Sequence, residues 1–155
     1  MIANADLKKT DVVLEPSAGR GAIVERILPL VKKVEMCELM PENREHLEKE
    51  KGYEVAWGDF LALNTSWKYD KIIANPPFTK NQDIDHVLKM YEHLNPKGRI
   101  VTIMSSSWVD GKQNKQLKFK EWLKEVGAST KEIEAGKFKK SGTLVKTMLV
   151  VIDKK

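Results

Sequence analysis

The feature that most constrains the fold is a repeated alternation of short apolar segments with segments of helical periodicity. The first apolar run, residues 11–15, ends at a glycine-rich turn over 16–21, after which apolar residues recur at helical spacing up to Val31. Repeated strand and helix units bury their apolar faces in a parallel sheet with right-handed crossovers and helices on both faces. The alternation therefore predicts an α/β, doubly wound fold.

The later elements continue this alternation and change only at the end of the chain. Further strands are predicted over residues 34–38, 53–57, 70–74 and 99–104, with helices over about 41–51, 83–94 and 114–126. Two strand-like runs, 131–138 and 144–152, flank a turn at 139–143, which predicts an antiparallel hairpin. No linker interrupts the pattern, so residues 1–155 are predicted to form one domain. In the last helix the positions expected to be buried are Leu117, Trp122, Leu123 and Val126.

Composition excludes several classes of protein. With 41% hydrophobic and 32% charged residues, and no apolar run near the roughly 20 residues that a bilayer requires, a membrane span is not expected. The single cysteine, Cys37, and the polar residues after Met1 favour the reduced cytoplasm over secretion. His46, His86 and His93 lack metal-ligand spacing with one another or with Cys37, so no metal is predicted and each is interpreted as a surface or packing histidine.

Positive charge is concentrated in the second half of the chain. The net charge is +5, and residues 81–155 carry 15 basic and 9 acidic side chains. A lysine-rich stretch of this kind commonly keeps a surface soluble, and the alternative is a surface that faces phosphates. On the second interpretation Lys112, Lys115 and Lys118 are the candidate nucleic-acid-binding residues.

Candidate ligand-binding residues follow the first three predicted strands. Ligands of open α/β sheets bind beyond the carboxyl ends of the strands, and Gly19 and Gly21 lie there after strand one. Glu38 comes 19 positions after Gly19, close to the offset of about 20 at which a carboxylate meets a ribose. A third glycine is absent, since Val24 stands in its place, so a nucleoside is favoured over a pyrophosphate-bearing dinucleotide. Asp59 and Phe60, after strand three, form either an adenine contact or a simple turn.

The tetrad Asn75, Pro76, Pro77 and Phe78 directly follows the fourth predicted strand. An exocyclic or carboxamide nitrogen is a poor nucleophile because its lone pair is delocalised. The Asn75 side-chain oxygen and the Pro76 carbonyl could accept its two hydrogens and so localise that pair. The prolines fix the turn, and Phe78 offers a face on which a planar group can stack. The tetrad therefore predicts chemistry on an amine attached to a planar group.

Taken together, these motifs resemble the amino-methyltransferase branch of the class I S-adenosylmethionine-dependent methyltransferases, most of all the adenine-specific DNA methyltransferases. The resemblance implies a Rossmann-like, mostly parallel seven-stranded sheet ordered 3-2-1-4-5-7-6 with an antiparallel C-terminal strand. It also implies S-adenosylmethionine as cofactor and nucleic acid as partner, with DNA favoured over RNA. Asn75 to Phe78 would be catalytic. The residues implied to contact the cofactor are Glu15, Ala18, Gly19 and Gly21 around its methionine part, Glu38 at its ribose hydroxyls, Asp59 at its adenine amine and Phe60 against the adenine ring, together with Pro16, Leu39 and Asn75.

Two departures from that family keep alternatives open. About ten residues precede the first predicted strand, where relatives usually carry a segment that encloses the cofactor, so an open pocket is expected. The connections leave no room for a target-recognition region, so specificity comes from a partner subunit or is low. A protein glutamine side chain is the alternative substrate, although that family usually has Tyr in place of Phe78. The remaining alternative is a cofactor-binding subunit that is active only with another chain.

Overall fold

The computed structural model describes residues 1–134 and 146–155 and contains a six-stranded sheet. In chain order the strands are β1 (Val12–Glu15), β2 (Lys33–Met36), β3 (Tyr69–Ala74), β4 (Leu94–Ser105), β5 (Ser129–Ile133) and β6 (Thr147–Asp153). Their spatial order is β2-β1-β3-β4-β6-β5. The first four strands are parallel, and β6 runs antiparallel to both of its neighbours. The prediction of a mostly parallel Rossmann-like sheet with an antiparallel C-terminal strand is confirmed.

Helices connect the parallel strands, as the alternation predicts. They are α1 (Ala22–Ile27), α2 (Pro41–Glu45), α3 (Gln82–Glu92), α4 (Ser107–Asp110) and α5 (Asn114–Glu125). Short helical turns extend three of these connections, at Leu28–Leu30, His46–Glu50 and Thr79–Asn81. Within the described ranges, no helix has the length and apolar character needed to cross a membrane.

The prediction of a third strand over residues 53–57 is wrong. The segment pairs with the chain after β2 at a single bridge between Cys37 and Trp57. At its start the Tyr53 N–H donates to the carbonyl of Leu47 in the preceding helical turn, at 2.9 Å. Because that donor is used by the helix end, pairing with β2 begins only at Ala56, whose N–H donates to Met36 O. The sheet therefore has one strand fewer than predicted, and the order of the others is the predicted one.

Alternate side chains of the central strands enter two apolar layers. Leu14, Ile72 and Ile100 pack on one face against a cluster that includes residues of α3 and α5. Val13 and Ile73, which point to the opposite face, pack with residues of α1 and the N-terminal segment. The period-two alternation of the strands thus divides the core between both faces of the sheet.

The C-terminal pair is antiparallel, as predicted, with Ser129 opposite Val151 and Ile133 opposite Thr147. The predicted turn over 139–143 and the adjoining parts of both runs, 135–138 and 144–145, lie outside the described residues. Because β6 lies between β4 and β5, this pair completes one edge of the sheet.

Two residues of α5, Leu117 and Phe119, distinguish its buried face from the one predicted. Leu123 is buried, Trp122 and Val126 are partly buried, and Leu117 is 43% exposed. Phe119 takes the core position instead, with its ring centroid 5.5 Å from that of Trp108 and 5.8 Å from that of Trp122. The prediction for Leu117 is wrong because the apolar residues of this helix fit more than one helical face.

We expect Phe119→Ala to lower the free energy of unfolding by about 3 to 5 kcal/mol, since it empties a packed aromatic site. Leu117→Ala on the same helix should change it by no more than about 0.5 kcal/mol. Urea denaturation of both variants measures the difference. Equal losses in the two variants would contradict the observed orientation of α5.

Candidate active site

The site begins at the glycine-rich turn after β1, which folds back onto the end of β2. Gly19 and Gly21 have φ values of +56° and +92°, in the left-handed region that favours glycine. The Ala18 N–H donates to Cys37 O at 3.0 Å, and the Gly19 N–H donates to the Glu38 carboxylate at 2.6 Å. A Cβ at Gly21 would lie 2.9 Å from a Leu47 side-chain carbon, whereas a Cβ at Gly19 would have no atom within 4 Å. The turn is therefore packed at Gly21 and open at Gly19.

Glu38 is the carboxylate that fixes this end of the sheet. Its Oε2 accepts from Gly19, and its Oε1 accepts from the Met40 N–H at 2.8 Å. The Asn43 side-chain amide lies 3.5 Å from the same Oε1, at the outer limit of a hydrogen bond. Although Glu38 is only 6% exposed, it lines a cavity at this edge of the sheet. Protein N–H groups thus hold the carboxylate in place at the cavity wall.

The cavity has a volume of about 610 Å³ and lies beyond the carboxyl ends of β1, β2 and β3. Its lining brings together most of the residues predicted from sequence. Those residues are Pro16, Glu38, Leu39, Asp59, Phe60 and the tetrad Asn75, Pro76, Pro77 and Phe78. Leu39 and Met40 are 61% and 54% exposed, so two large apolar side chains at this cavity are open to solvent.

Four residues predicted to contact the cofactor are not part of the cavity lining. They are Glu15, Ala18, Gly19 and Gly21. Glu15 is fully buried, and one of its carboxylate oxygens accepts from the Ser17 N–H at 2.9 Å. Ala18 packs in a small apolar cluster with Val24 and Leu47. Direct cofactor contacts by these four residues stay predictions.

Burial changes the acid–base behaviour of Glu15. Loss of hydration raises its pKa to about 8, the neighbouring Glu38 adds to the rise, and the Ser17 N–H opposes it. Among the described residues, Oε2 of Glu15 has no hydrogen-bond partner. The carboxyl beneath the turn is therefore largely protonated at neutral pH.

The tetrad combines a fixed turn with a free amide. Pro76 is buried, while Asn75 and Pro77 are exposed and Phe78 is half-buried. No hydrogen bond occupies the Asn75 side chain within the described part of the chain, so its oxygen is available to a ligand in the cavity. This arrangement can accept hydrogens from an amine while an aromatic face lies beside it.

Asp59 and Phe60 are also anchored by the protein. The Asp59 carboxylate accepts from the Leu61 N–H at 2.9 Å and so forms a turn. A simple turn was one of the two interpretations of Asp59 and Phe60 in the sequence. Phe60 is only 2% exposed, with its ring centroid 5.6 Å from that of His86 and 6.0 Å from that of His93. Phe60 serves as core and as cavity wall, and its predicted contact with an adenine ring stays a prediction.

Sequence reasoning missed Gln82 and His86 as cavity residues. They are four positions apart on α3 and line the cavity together. The spacing places them on one helix face, and this is the signal that would have found them. His86 is 6% exposed, and loss of hydration lowers its pKa. The segment 105–107, at the end of β4, is absent from the lining and bonds to α3 and its preceding turn through Asp83 and Asn81.

The three candidate phosphate-binding lysines are not equivalent. Lys112 and Lys118 are exposed, whereas the Lys115 ammonium lies 2.6 Å from an Asp85 carboxylate oxygen. Their binding to nucleic acid stays a prediction. Across residues 1–134 and 146–155, no group of three or more His, Cys, Asp or Glu side chains is placed to hold a metal ion.

Comparison with known proteins identifies the class of protein that this fold and cavity define. Residues 8–139 match the family model described as the methyltransferase small domain, and the chain belongs to that family. Its cofactor is S-adenosylmethionine, which confirms the prediction.

Individual relatives extend this result. A probable ribosomal RNA small subunit methyltransferase A from Methanosarcina barkeri is 34% identical over 97 residues, covering 60% of this chain and 33% of that protein. A probable dimethyladenosine transferase from Drosophila melanogaster is 35% identical over 101 residues, which cover 61% of this chain and 33% of that protein. A solved modification subunit of a putative type I restriction enzyme from Vibrio vulnificus matches with a TM-score of 0.78 at 14% identity, covering 99% of this chain and 42% of that one. This last likeness concerns the fold alone.

The chain spans about a third of the length of the curated relatives that it matches. The names of those relatives refer to RNA and to adenosine. The sequence-based preference for DNA over RNA is therefore not supported.

We expect Glu15→Gln to become progressively more stable than the wild type as pH rises. In the unfolded chain Glu15 ionises near 4.5, but in the fold it does so near 8. Between these values the folded protein keeps a proton that the unfolded chain has lost, so the wild-type free energy of unfolding falls by up to about 1.4 kcal/mol per pH unit. Glutamine carries no such proton, and the loss should be absent from the variant.

Urea denaturation of both proteins between pH 5 and pH 9 measures this effect. The difference should widen up to about pH 8 and then level off, while the exposed control Glu45→Gln should show no such trend. A Glu15→Gln difference that is the same at pH 5 and pH 8 would show that the Glu15 carboxyl is ionised in the fold.

Proposed function

We propose that the chain transfers a methyl group from S-adenosylmethionine to the exocyclic amine of adenine in RNA, with ribosomal RNA as the substrate class. The observation that carries this proposal is the free Asn75 side chain, which opens into the cavity that Glu38 and Asp59 also line. The RNA and adenosine named for the two curated relatives support the choice of substrate.

The residues around the cavity fit the cofactor. The space beside Gly19 admits close approach of a ligand to the backbone, and the fixed Glu38 carboxylate is suited to accept ribose hydroxyls. Ser17 and His86 line the same cavity, and each has a buried polar atom without a partner among the described residues. Because unpaired buried polar groups are costly, their presence here favours a polar ligand. In this arrangement Glu38 would hold the ribose and Asp59 the adenine amine.

Asn75 and Pro76 would prepare the target nitrogen for methyl transfer. The Asn75 side-chain oxygen and the Pro76 carbonyl oxygen accept the two amine hydrogens, which draws the lone pair out of the ring and directs it away from the turn. The bound cofactor supplies a methyl group on a positively charged sulfur. Held by Glu38 and Asp59, the cofactor would supply this methyl group to the target nitrogen and keep the electrons of the broken carbon–sulfur bond. The nitrogen, still hydrogen-bonded to the Asn75 and Pro76 oxygens, would then lose its extra proton to water. Phe78 stacks on the base and holds its plane.

A second candidate function is that of a subunit that requires another chain for activity. The observation in its favour is the exposure of Leu39 and Met40 at the cavity. Exposed apolar side chains next to a binding site are typical of surfaces that another molecule covers. A protein that binds the cofactor tightly and yet methylates nothing alone would support this candidate over the first.

We expect Asn75→Ala to lower the single-turnover rate of methyl transfer to adenine-containing RNA by at least about 100-fold, because the lost acceptor acts mainly in the transition state. Cofactor affinity should stay within about threefold of the wild type, since in the proposed arrangement the Asn75 side chain bonds the target amine and not the cofactor. The exposed Asn64→Ala is the matched control and should retain the wild-type rate. Full activity in Asn75→Ala would overturn the proposed mechanism.

We expect Glu38→Gln to weaken binding of S-adenosylmethionine at least about 10-fold, since hydrogen bonds to an ionised carboxylate are the stronger kind. Isothermal calorimetry with the cofactor and with its demethylated product measures the loss. Glu45→Gln, on an exposed helical turn, should bind as the wild type does. Unchanged affinity in Glu38→Gln would remove this residue from the cofactor site.

A further inference from the structure

The turn directly after the tetrad has an unusual backbone. Lys80 and Asn81 are consecutive non-glycine residues with φ values of +56° and +57°. Asparagine visits this left-handed region more readily than most residues, whereas lysine rarely does so. Such a conformation persists where the surrounding structure holds it, and it is concentrated at functional sites. The Thr79–Asn81 turn therefore needs a partner that fixes it.

The side chain of Asn81 supplies this attachment. Its amide nitrogen donates to the Gln113 side-chain oxygen at 3.0 Å, and its oxygen accepts from the Ser107 hydroxyl at 3.3 Å. The Gln116 side-chain amide donates to the same oxygen at 3.4 Å. Gln113 and Gln116 also form the capping box that begins α5. One asparagine thus joins the turn after Phe78 to the loop after β4 and to the N-terminus of α5.

This attachment brings two exposed lysines onto adjoining loops. Lys80 immediately precedes Asn81, and Lys112 immediately precedes its partner Gln113. Neither lysine forms an ion pair with another described residue, whereas Lys115 is paired with Asp85. Lys120 is also engaged, since it donates to the carbonyls of Val109 and Gly111. Lys80 and Lys112 are therefore two available positive charges on the loops that Asn81 joins.

We propose that Lys80 and Lys112 bind the phosphates that flank the target adenosine, and that Asn81 is the positioning residue that holds Lys80 in place. The inference rests on the proposed function, because a base stacked on Phe78 brings its own phosphodiester linkages to the neighbouring turn. Lys80 is only two residues beyond Phe78, so its ammonium group is within reach of the phosphates of the RNA strand that carries the stacked base. Cations beside a stacking aromatic residue are the usual arrangement for single-stranded nucleic acid.

The test measures binding of a fluorescently labelled, single-stranded, adenosine-containing RNA by anisotropy at a series of salt concentrations. Lys80→Gln and Lys112→Gln should each lower the affinity and reduce the slope of log K against log salt by about 0.7. Lys80→Arg should retain the wild-type slope. Lys124→Gln changes the net charge equally but lies on an exposed position at the far end of α5, and it should leave the slope unchanged. Equal effects of Lys80→Gln and Lys124→Gln would overturn the proposal.

The positioning role of Asn81 has its own measurement. Asn81→Gly keeps the left-handed backbone accessible while it removes the three side-chain hydrogen bonds. This variant should lose RNA affinity, and adding Lys80→Gln to it should cause little further loss, because Asn81 acts through Lys80. Fully additive losses would contradict this role, and so would wild-type RNA affinity in Asn81→Gly.

Failure of this inference can be told apart from failure of the proposed function. Wild-type methylation of RNA together with unchanged RNA affinity in Lys80→Gln would overturn the phosphate site and leave the proposed function intact. Absence of methylation together with the expected loss of salt slope would overturn the proposed function and support the phosphate-binding surface.

Discussion

The site depends on a carboxylate that holds together the ends of two strands. Glu38 accepts N–H groups from the turn after β1 and from its own loop after β2. Parallel pairing of β1 with both β2 and β3 places the ends of all three strands at one edge of the sheet. Without Glu38 the Gly19 N–H would lack its acceptor. The geometry of the cavity therefore begins with this one charged group and the register of β1.

The chemistry of the cavity depends on which of its polar groups already have hydrogen-bond partners within the protein. Asp59 and Glu38 are anchored by backbone N–H groups, so each keeps a fixed orientation toward a ligand. Asn75 is left free at the end of β3, between a buried proline and the cavity. On the proposed function, Glu38 and Asp59 would be fixed acceptors for the cofactor, and Asn75 would be the unoccupied acceptor for the target amine.

Local patterns predicted the strands, the glycine turn and the tetrad because each is encoded within a few adjacent residues. Contacts between distant residues decided the rest. The segment 53–57 fails as a strand because Leu47 takes the Tyr53 N–H, and Lys115 is neutralised by Asp85, which lies 30 positions away. Leu117 was wrongly predicted to be buried, and Phe119 was missed, because periodicity alone does not say which helix face meets the sheet. Gln82 and His86 were not predicted as cavity residues because their role depends on how α3 packs beside the cavity.

The most direct test offers S-adenosylmethionine carrying a tritiated methyl group to the wild-type protein with four substrates in parallel. These are adenine-containing RNA, single-stranded DNA, duplex DNA and, for the alternative glutamine substrate, a release-factor protein. The labelled products are then hydrolysed and separated. We predict label in the exocyclic amine of adenosine from RNA. Label confined to DNA or to a protein glutamine, or none in any substrate by a protein that binds the cofactor, would contradict the account.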